Sequence, residues 1–506
     1  MDQEIAFLAS LGGDAAIAQY DAFAGCLVGL LARAPEEVSD RDAYLGAIRH
    51  GFSLYYWRWD ARASDLYGPV CAALERWAEI RPVPVDLVSE LADFVYFLVW
   101  CFDGSSTEQS RRLVPPLGTA SRAFAATADR QPAPLPVLGP YRIAWLAMYA
   151  QERDAMSCAL RDMAAALRHG GHTLTVYAWK FHDAAFADRM AALGVTVTAI
   201  AADRHEAIVQ AIEEQVARDR PQIVVSDMNN AVPTALFARR LAPVQILLQA
   251  GMPAWPVAHL DAVFNSFGFD PETAGWGDAL SLSTAGAPWD LAALDPPIAA
   301  EAVAAERASI PLVGRLIGTY CRLSKVTPEY LAAVELILLR CPDVSFVIGG
   351  SGDPGRIAAF VVASSVGNRM HVAAGWVQGH VWGHMLDVML DTWPVTGGEA
   401  CREIMAKSRP VVTRHSDEMP ALDLQRDEKL VCHDWAAYVE ETCRLLKDPE
   451  VYAAACARSR AVAERHRDGS AFADTVNAGI DRTVRRVRRR RSWPGRLAAR
   501  LGFAVR

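Results

Sequence analysis

The chain lacks most of the features that would mark it as secreted, membrane-spanning, metal-stabilised or repetitive. Its ten cysteines (Cys26, Cys71, Cys101, Cys158, Cys321, Cys341, Cys401, Cys432, Cys443 and Cys456) are scattered, with no CxxC pair and no clustered His/Cys spacing. That argues against a zinc site and a disulfide framework, and it fits a reducing compartment in which buried cysteines act as small apolar residues. No stretch reaches the roughly 18 uninterrupted apolar residues needed to cross a bilayer. The first residues, MDQEIAFLASLGGDAA, begin acidic and carry no basic segment of the signal-peptide kind. A cytoplasmic protein is expected, soluble or peripheral on the inner face of a membrane. No short-period repeat is present, which excludes a solenoid.

Acidic residues are missing from one place in particular. The last 25 residues, Arg482 to Arg506, hold ten arginines and neither Asp nor Glu, so a chain of net charge −8 has a body at −18. Arginines interleaved with Val484, Val487, Trp493, Leu497, Leu501 and Phe503 suit a solubilising terminus, attachment to an anionic membrane surface, or an acidic partner. A nucleic-acid partner is not expected, because the acidic body would repel phosphate.

What is there is ample core material: 506 residues, 52% apolar and 22% charged, enough for several ordinary domains. Residues 1–130 read as all-helical, with apolar residues at three- and four-residue spacing (Leu27, Leu30, Leu31; Leu91, Phe94, Val95, Leu98). Tyr55, Tyr56, Trp57 and Trp59 form an aromatic cluster that reads first as a core between helices and second as a peptide- or sugar-binding face, which would give this domain an acceptor- or partner-binding role. A proline-rich linker, QPAPLPVLGP, occupies 131–140. From 141 to 285, short apolar runs suited to buried parallel strands alternate with helical segments, one Rossmann-like domain. The stretch 286–312 reads as an interdomain connection. A second strand-helix series fills 313–480, and 481–506 is the arginine-rich tail.

Two segments carry chemistry. In Leu390 to Thr413, LDTWPVTGGEACREIMAKSRPVVT, a strand ends, Gly397 and Gly398 open a helix, and a buried strand resumes at Pro410. Glycine lets backbone amides approach a ligand, and the positive helix end favours a diphosphate. Glu403, one turn into that helix, is placed to accept from a ribose diol. In Gly318 to Pro328, GTYCRLSKVTP, Lys325 sits in a strand-to-helix loop, where an ammonium can neutralise a departing pyrophosphate. Tandem Rossmann-like domains facing a cleft, with such a site in the second, describe a nucleotide-sugar glycosyltransferase of the GT-B type.

Those two segments resemble the paired motifs of the O-GlcNAc transferase family, which includes bacterial asparagine glycosyltransferases that modify adhesins. A third likeness lies in Asp227 to Pro256, DMNNAVPTALFARRLAPVQILLQAGMPAWP. The resemblance implies that Lys325 contacts the diphosphate, that Gly397, Gly398, Glu399 and Ala400 form the turn around it, and that Glu403 binds the ribose. It also implies that Gln378 and His380, in AAGWVQGH, grip the nucleobase, and that Asn229 and Gly251 lie on the acceptor side. The chain departs from the family in three places. No histidine follows the first strand of the first Rossmann-like domain, where MYAQERDAMS offers Glu152 or Asp154 as a general base or as a helix cap. The family's GYPG-like loop reads AGMP. Glu399 and Ala400 replace the turn's hydroxyls, and a glutamate there would repel a diphosphate unless turned away.

The expected function is therefore inverting transfer of a sugar from a nucleotide diphosphate sugar, a UDP-sugar, to a protein side chain, with no metal cofactor. Alternatives are a lipid-linked or polysaccharide acceptor at the membrane surface, and a non-catalytic nucleotide-sugar-binding subunit.

Overall fold

The computed structural model describes residues 3–10, 19–56, 63–101, 106–126, 134, 137–151, 155–227, 230–249, 251, 254–284, 286–417 and 419–491. They divide into two compact units, one running to Thr284 and resuming at Ser470, the other Ala285–Gly469. No described helix is long and apolar enough to cross a membrane.

The first unit opens with helices Gln3–Ser10, Tyr20–Ala32, Arg41–Tyr56, Ala63–Ala78, Val85–Cys101 and Ser106–Ala125. The apolar residues at helical spacing, among them Leu27, Leu30, Leu91, Phe94 and Leu98, are all buried, as one-face burial of amphipathic helices requires. Tyr55 is buried with its ring 6.1 Å from that of Phe94; Trp57 and Trp59 lie outside the described residues. Helix Val85–Cys101 also carries an acidic stripe at i, i+4 and i+7. Asp86 accepts from the Glu206 amide (2.8 Å) and from Arg204 Nε (2.7 Å) at the start of helix His205–Asp219. Asp93 accepts from the Ala231 amide (2.8 Å) at the start of helix Ala231–Ala238. Carboxylates thus satisfy amides that the first helical turn leaves open, at the end where the helix dipole favours negative charge. His205 is held beside them, with Nε2 3.3 Å from Asp93 and Nδ1 3.8 Å from Glu90.

Seven strands follow: β1 (Arg142–Ala150), β2 (Thr173–His182), β3 (Thr196–Ala199), β4 (Ile223–Ser226), β5 (Val244–Gln249), β6 (Ala262–Asn265) and β7 (Leu280–Ser283). They form one parallel sheet in the order β3-β2-β1-β4-β5-β6-β7. Strands β3, β4, β6 and β7 are four residues each, too short to show a periodicity.

The last described helix, Ser470–Arg491, corrects the expected boundary at 480. Its apolar face, Phe472, Val476, Ile480, Val484 and Val487, is buried, and it packs on helix Ala155–His169 of the first unit. Tyr141 Oη donates to Asp481 (2.7 Å), and Asn477 Nδ2 donates to the Ala166 carbonyl (2.9 Å). Helical periodicity shows which face is apolar but not which surface covers it.

The second unit holds β8 (Arg315–Tyr320), β9 (Val344–Gly350), β10 (Met370–Ala374), β11 (Val388–Leu390), β12 (Val411–Arg414) and β13 (Val431–Cys432). These are parallel in the order β10-β9-β8-β11-β12-β13. Strands buried along their whole length, such as β9 and β11, explain the continuous apolar runs in place of alternation. The stretch 286–312 is part of this unit and not a bare connection: Trp289, Leu294, Ile310 and Leu312 bury into one core with Leu316, Trp382 and Ile404.

Each sheet reverses its direction of winding once. The chain leaves β8 toward β9 on one side and β11 toward β12 on the other; β1 and β4 stand in the same relation. Ligands of open parallel sheets bind outside the carboxyl ends of the strands at such a reversal, so the loops after β1, β4, β8 and β11 are where sites belong.

Candidate functional site

At the reversal of the second sheet, four chain segments meet. Strand β8 ends on Tyr320, and the loop beyond it carries Lys325 in a short 3₁₀ turn just before helix Pro328–Arg340, which starts on a Thr327 cap accepting from the Tyr330 amide. Strand β11 ends at Leu390, and Asp391 follows at once. Residues 392–398 then lead into helix Glu399–Ala406, with Gly398 at its cap.

Lys325 Nζ donates to the Thr396 carbonyl at 3.1 Å, so the ammonium stands against the residue that precedes the glycine pair. Burial holds its pKa below the ordinary lysine value, with Cys321 and Asp391 acting in the opposite sense. The Thr396 hydroxyl is buried and makes no hydrogen bond among the described residues.

The glycine turn is held from beneath. Asp391, fully buried, accepts from the Gly397 amide (2.6 Å) and from Thr413 Oγ1 (3.1 Å). Arg426 Nη2 donates to the Gly397 carbonyl and lies 3.7 Å from Asp391 Oδ2, both side chains being essentially inaccessible. Both polar groups of one glycine are therefore engaged by a buried ion pair. A Cβ on Gly397 would stand 3.0 Å from Cys401 Sγ and 3.1 Å from Asp391 Oδ1, so any larger residue would need these neighbours to give by a few tenths of an ångström. Burial pushes the Asp391 carboxyl up, and Arg426 and the Gly397 amide pull it back.

Glu403 is half-buried one turn along the same helix, where its Oε2 accepts from Tyr320 Oη at 2.6 Å. Burial raises its pKa, against the hydrogen bond from Tyr320. The segment bearing Gln378 and His380 packs against this pair: a Cβ on Gly379 would stand 2.9 Å from the Tyr320 ring and 3.0 Å from Glu403 Oε2. Gln378 is exposed, His380 half-buried, and Trp376, two residues earlier, is 77% exposed. Glu399 is turned along its own helix toward Arg402 (3.3 Å). Among the described residues, no group of three or more His, Cys, Asp or Glu side chains could hold a metal ion.

Lys325, Gly397, Gly398, Glu399, Ala400, Glu403, Gln378 and His380 are thus gathered within one unit. Asp391, Arg426, Tyr320 and Thr396 belong to the same assembly and are absent from the sequence reading. For Tyr320 and Asp391 a signal existed, since each stands at the carboxyl end of a strand beside the reversal; for Arg426 there was none. In the first unit, Glu152 and Asp154 follow β1 and Asn229 follows β4, and all three lie outside the described residues. Gly251, two residues beyond β5, is half-buried and its carbonyl accepts from Gln249 Nε2. Asp227, directly after β4, is buried and accepts from Trp145 Nε1 at 2.7 Å.

No protein-family model matches this chain, and no curated protein matches it by sequence. Solved structures do match. An O-GlcNAc transferase mutant from Thermobaculum terrenum superposes with a TM-score of 0.60 at 18% identity, over 96% of this chain and 98% of that one. HepE from Anabaena, in complex with UDP-glucose, superposes with a TM-score of 0.50 at 12% identity, over 68% of this chain and 100% of that one. At these identities the likeness establishes the architecture: two Rossmann-like parallel-sheet domains of the GT-B type, with helices ahead of them.

Proposed function

We propose that this chain is an inverting, metal-independent glycosyltransferase that moves a sugar from a UDP-sugar to a protein side chain. The observation that carries the reading is the 3.1 Å bond between Lys325 Nζ and the Thr396 carbonyl. It sets an ammonium at the mouth of a glycine turn that heads a helix. A leaving diphosphate develops charge where that cation and the helix-end amides converge, and preorganised donors act most strongly on charge that grows in the transition state. Glu403, steadied by Tyr320, receives the ribose diol, and the segment with Gln378 and His380 meets the base. Glu399, drawn toward Arg402, leaves the diphosphate position to the amides.

The structural likeness supports the donor class, since the matching HepE structure contains UDP-glucose. A protein acceptor is what the family resemblance of the motifs implies, and the fold matches that of an O-GlcNAc transferase along nearly the whole chain. In this reading Glu152 or Asp154 deprotonates the acceptor, and Asn229 and Gly251 line its approach. The arginine-bearing end of helix Ser470–Arg491 favours a second reading, in which the acceptor is a lipid-linked or polysaccharide glycan at a membrane surface.

The test is release of UDP from a panel of UDP-sugars by the purified chain, followed by mass analysis of protein and glycan acceptors. Release that Lys325→Ala abolishes is the expected result. Tight UDP binding with no turnover on any acceptor would instead identify a non-catalytic subunit, and absence of UDP binding would sink the donor assignment.

A further inference from the structure

Helix Ser470–Arg491 has two faces of different chemistry. Its apolar face is buried on the first unit, and the bonds from Asn477 to Ala166 and from Tyr141 to Asp481 set its rotation. The opposite face is solvent-exposed, and toward the carboxyl end it becomes basic: Arg482, Arg485 and Arg489 recur at three- and four-residue spacing, with Arg488 beside them, all exposed. From 482 to 491 there are seven arginines and no acidic residue. Acids of the first unit face this cluster: Asp481 lies 4.0 Å from Arg485, Asp278 pairs with Arg490, and Asp261 acts on Arg486 and Arg491. Burial and then the neighbouring Arg490 press Arg486 below its ordinary value, and burial and then Arg240 do the same to Arg491. The cations are crowded, and the negative end of the helix dipole offsets only part of that charge.

We propose that this arginine face docks the protein on an anionic lipid bilayer. A stripe of guanidinium groups along a fixed helix matches a plane of headgroup phosphates, each arginine contributing roughly fivefold in affinity near such a surface. In sequence the stripe continues into Trp493, Leu497, Leu501 and Phe503, interleaved with Arg496 and Arg500 and outside the described residues. Aromatic and leucine side chains beside arginines suit the headgroup–acyl boundary. A nucleic acid would make no use of those apolar groups, and a stiff polyanion lying along the protein would meet a body of charge −18. Docking of this kind does not depend on what the donor site does.

The full chain should co-sediment with vesicles of phosphatidylglycerol mixed equally with phosphatidylcholine, and not with phosphatidylcholine alone. The triple variant Arg482→Gln, Arg485→Gln, Arg489→Gln should lose binding on the order of 10²-fold, while the matching triple lysine variant keeps most of it. Because all three positions are exposed and the Arg485–Asp481 pair is a surface one, circular dichroism melts should move little, and UDP binding by the glutamine variant should be unchanged. Equal sedimentation with both vesicle types, or with neither, overturns the proposal. So does full binding by the glutamine variant, or complete displacement from vesicles by an equimolar DNA duplex.

Discussion

Both sheets end the strand beside their reversal on a buried aspartate, Asp227 after β4 and Asp391 after β11, yet the two are held by different chemistry. Asp227 accepts from an indole N–H, that of Trp145. Asp391 faces a guanidinium, shares Gly397 with it, and has an ammonium beyond the same turn. One topology thus yields a strand end that takes an indole N–H in the first unit and a strand end that faces a guanidinium in the second. Fold alone does not separate these outcomes; residues brought in from elsewhere do.

The largest expected effect tests the cationic side. Lys325→Ala should lower UDP release by at least about 10²-fold, whereas Trp145→Phe should leave UDP affinity unchanged by calorimetry. Equal losses from the two would erase the distinction.

Stability comes next. Arg426→Met leaves Asp391 buried without its cation and should cost about 3–5 kcal/mol in urea unfolding. Trp145→Phe at Asp227 should cost about 1–3 kcal/mol, the scale of a lost hydrogen bond to a buried acceptor. Adding Asp391→Asn to Arg426→Met should recover part of the first loss, and failure to do so would mean that Arg426 acts through packing alone.

Both units should also respond to pH. Glu403 and Asp391 have folded pKa values raised chiefly by burial, above ordinary values of 4.5 and 3.8. At His205 burial works against the charged form, yet Asp93 and Glu90 carry the folded pKa above 6.5. In every case the folded state holds its proton longer than the unfolded chain does. Each contribution is therefore complete below the unfolded pKa and is lost as pH rises through the folded one. Thermal melts across pH should show a decline beginning in the carboxylate range, to which Glu403 and Asp391 contribute in the second unit and the buried Asp261 in the first, and another beginning near 6.5, to which His205 contributes in the first unit and His415, hydrogen-bonded to Asp423, in the second. Glu403→Gln should reduce the lower step and His205→Gln the upper; a profile that neither variant alters would refute the assignment.

The smallest effect concerns Glu399. Because it pairs with Arg402, exchanging it for the threonine type of hydroxyl residue should change UDP affinity by only about two- to threefold, the worth of a partly exposed ion pair. A gain of tenfold or more would show that the carboxylate does oppose the diphosphate.

Much of the second unit was legible because its signals are local. Strand, glycine pair, helix and Glu403 fall within 24 consecutive residues, and Lys325 sits in a strand-to-helix loop. The contacts that make these a site were not legible. Arg426 reaches Gly397 across 29 positions and Tyr320 reaches Glu403 across 83, and no periodicity encodes such pairings. The four-residue strands β3 and β7 are not legible because they lack the continuous buried apolar run that marks the equally short β4. The expected boundary at 480 failed because the helix that crosses it finds its apolar partner in the first unit.

By itself, the sequence determined the class of the longer segments, the tandem parallel sheets, the acidic body with its basic end, and the residue types at the glycine turn. Those follow from hydrophobic spacing, backbone freedom and charge, which act over a few residues. Tertiary structure alone decided that Asp391 and Arg426 clamp Gly397, that Glu399 is drawn toward Arg402, and that the arginines of 482–491 ride on a helix anchored to the first unit. Each of these depends on burial against a distant segment, where the loss of water fixes which charges must pair and which remain at the surface.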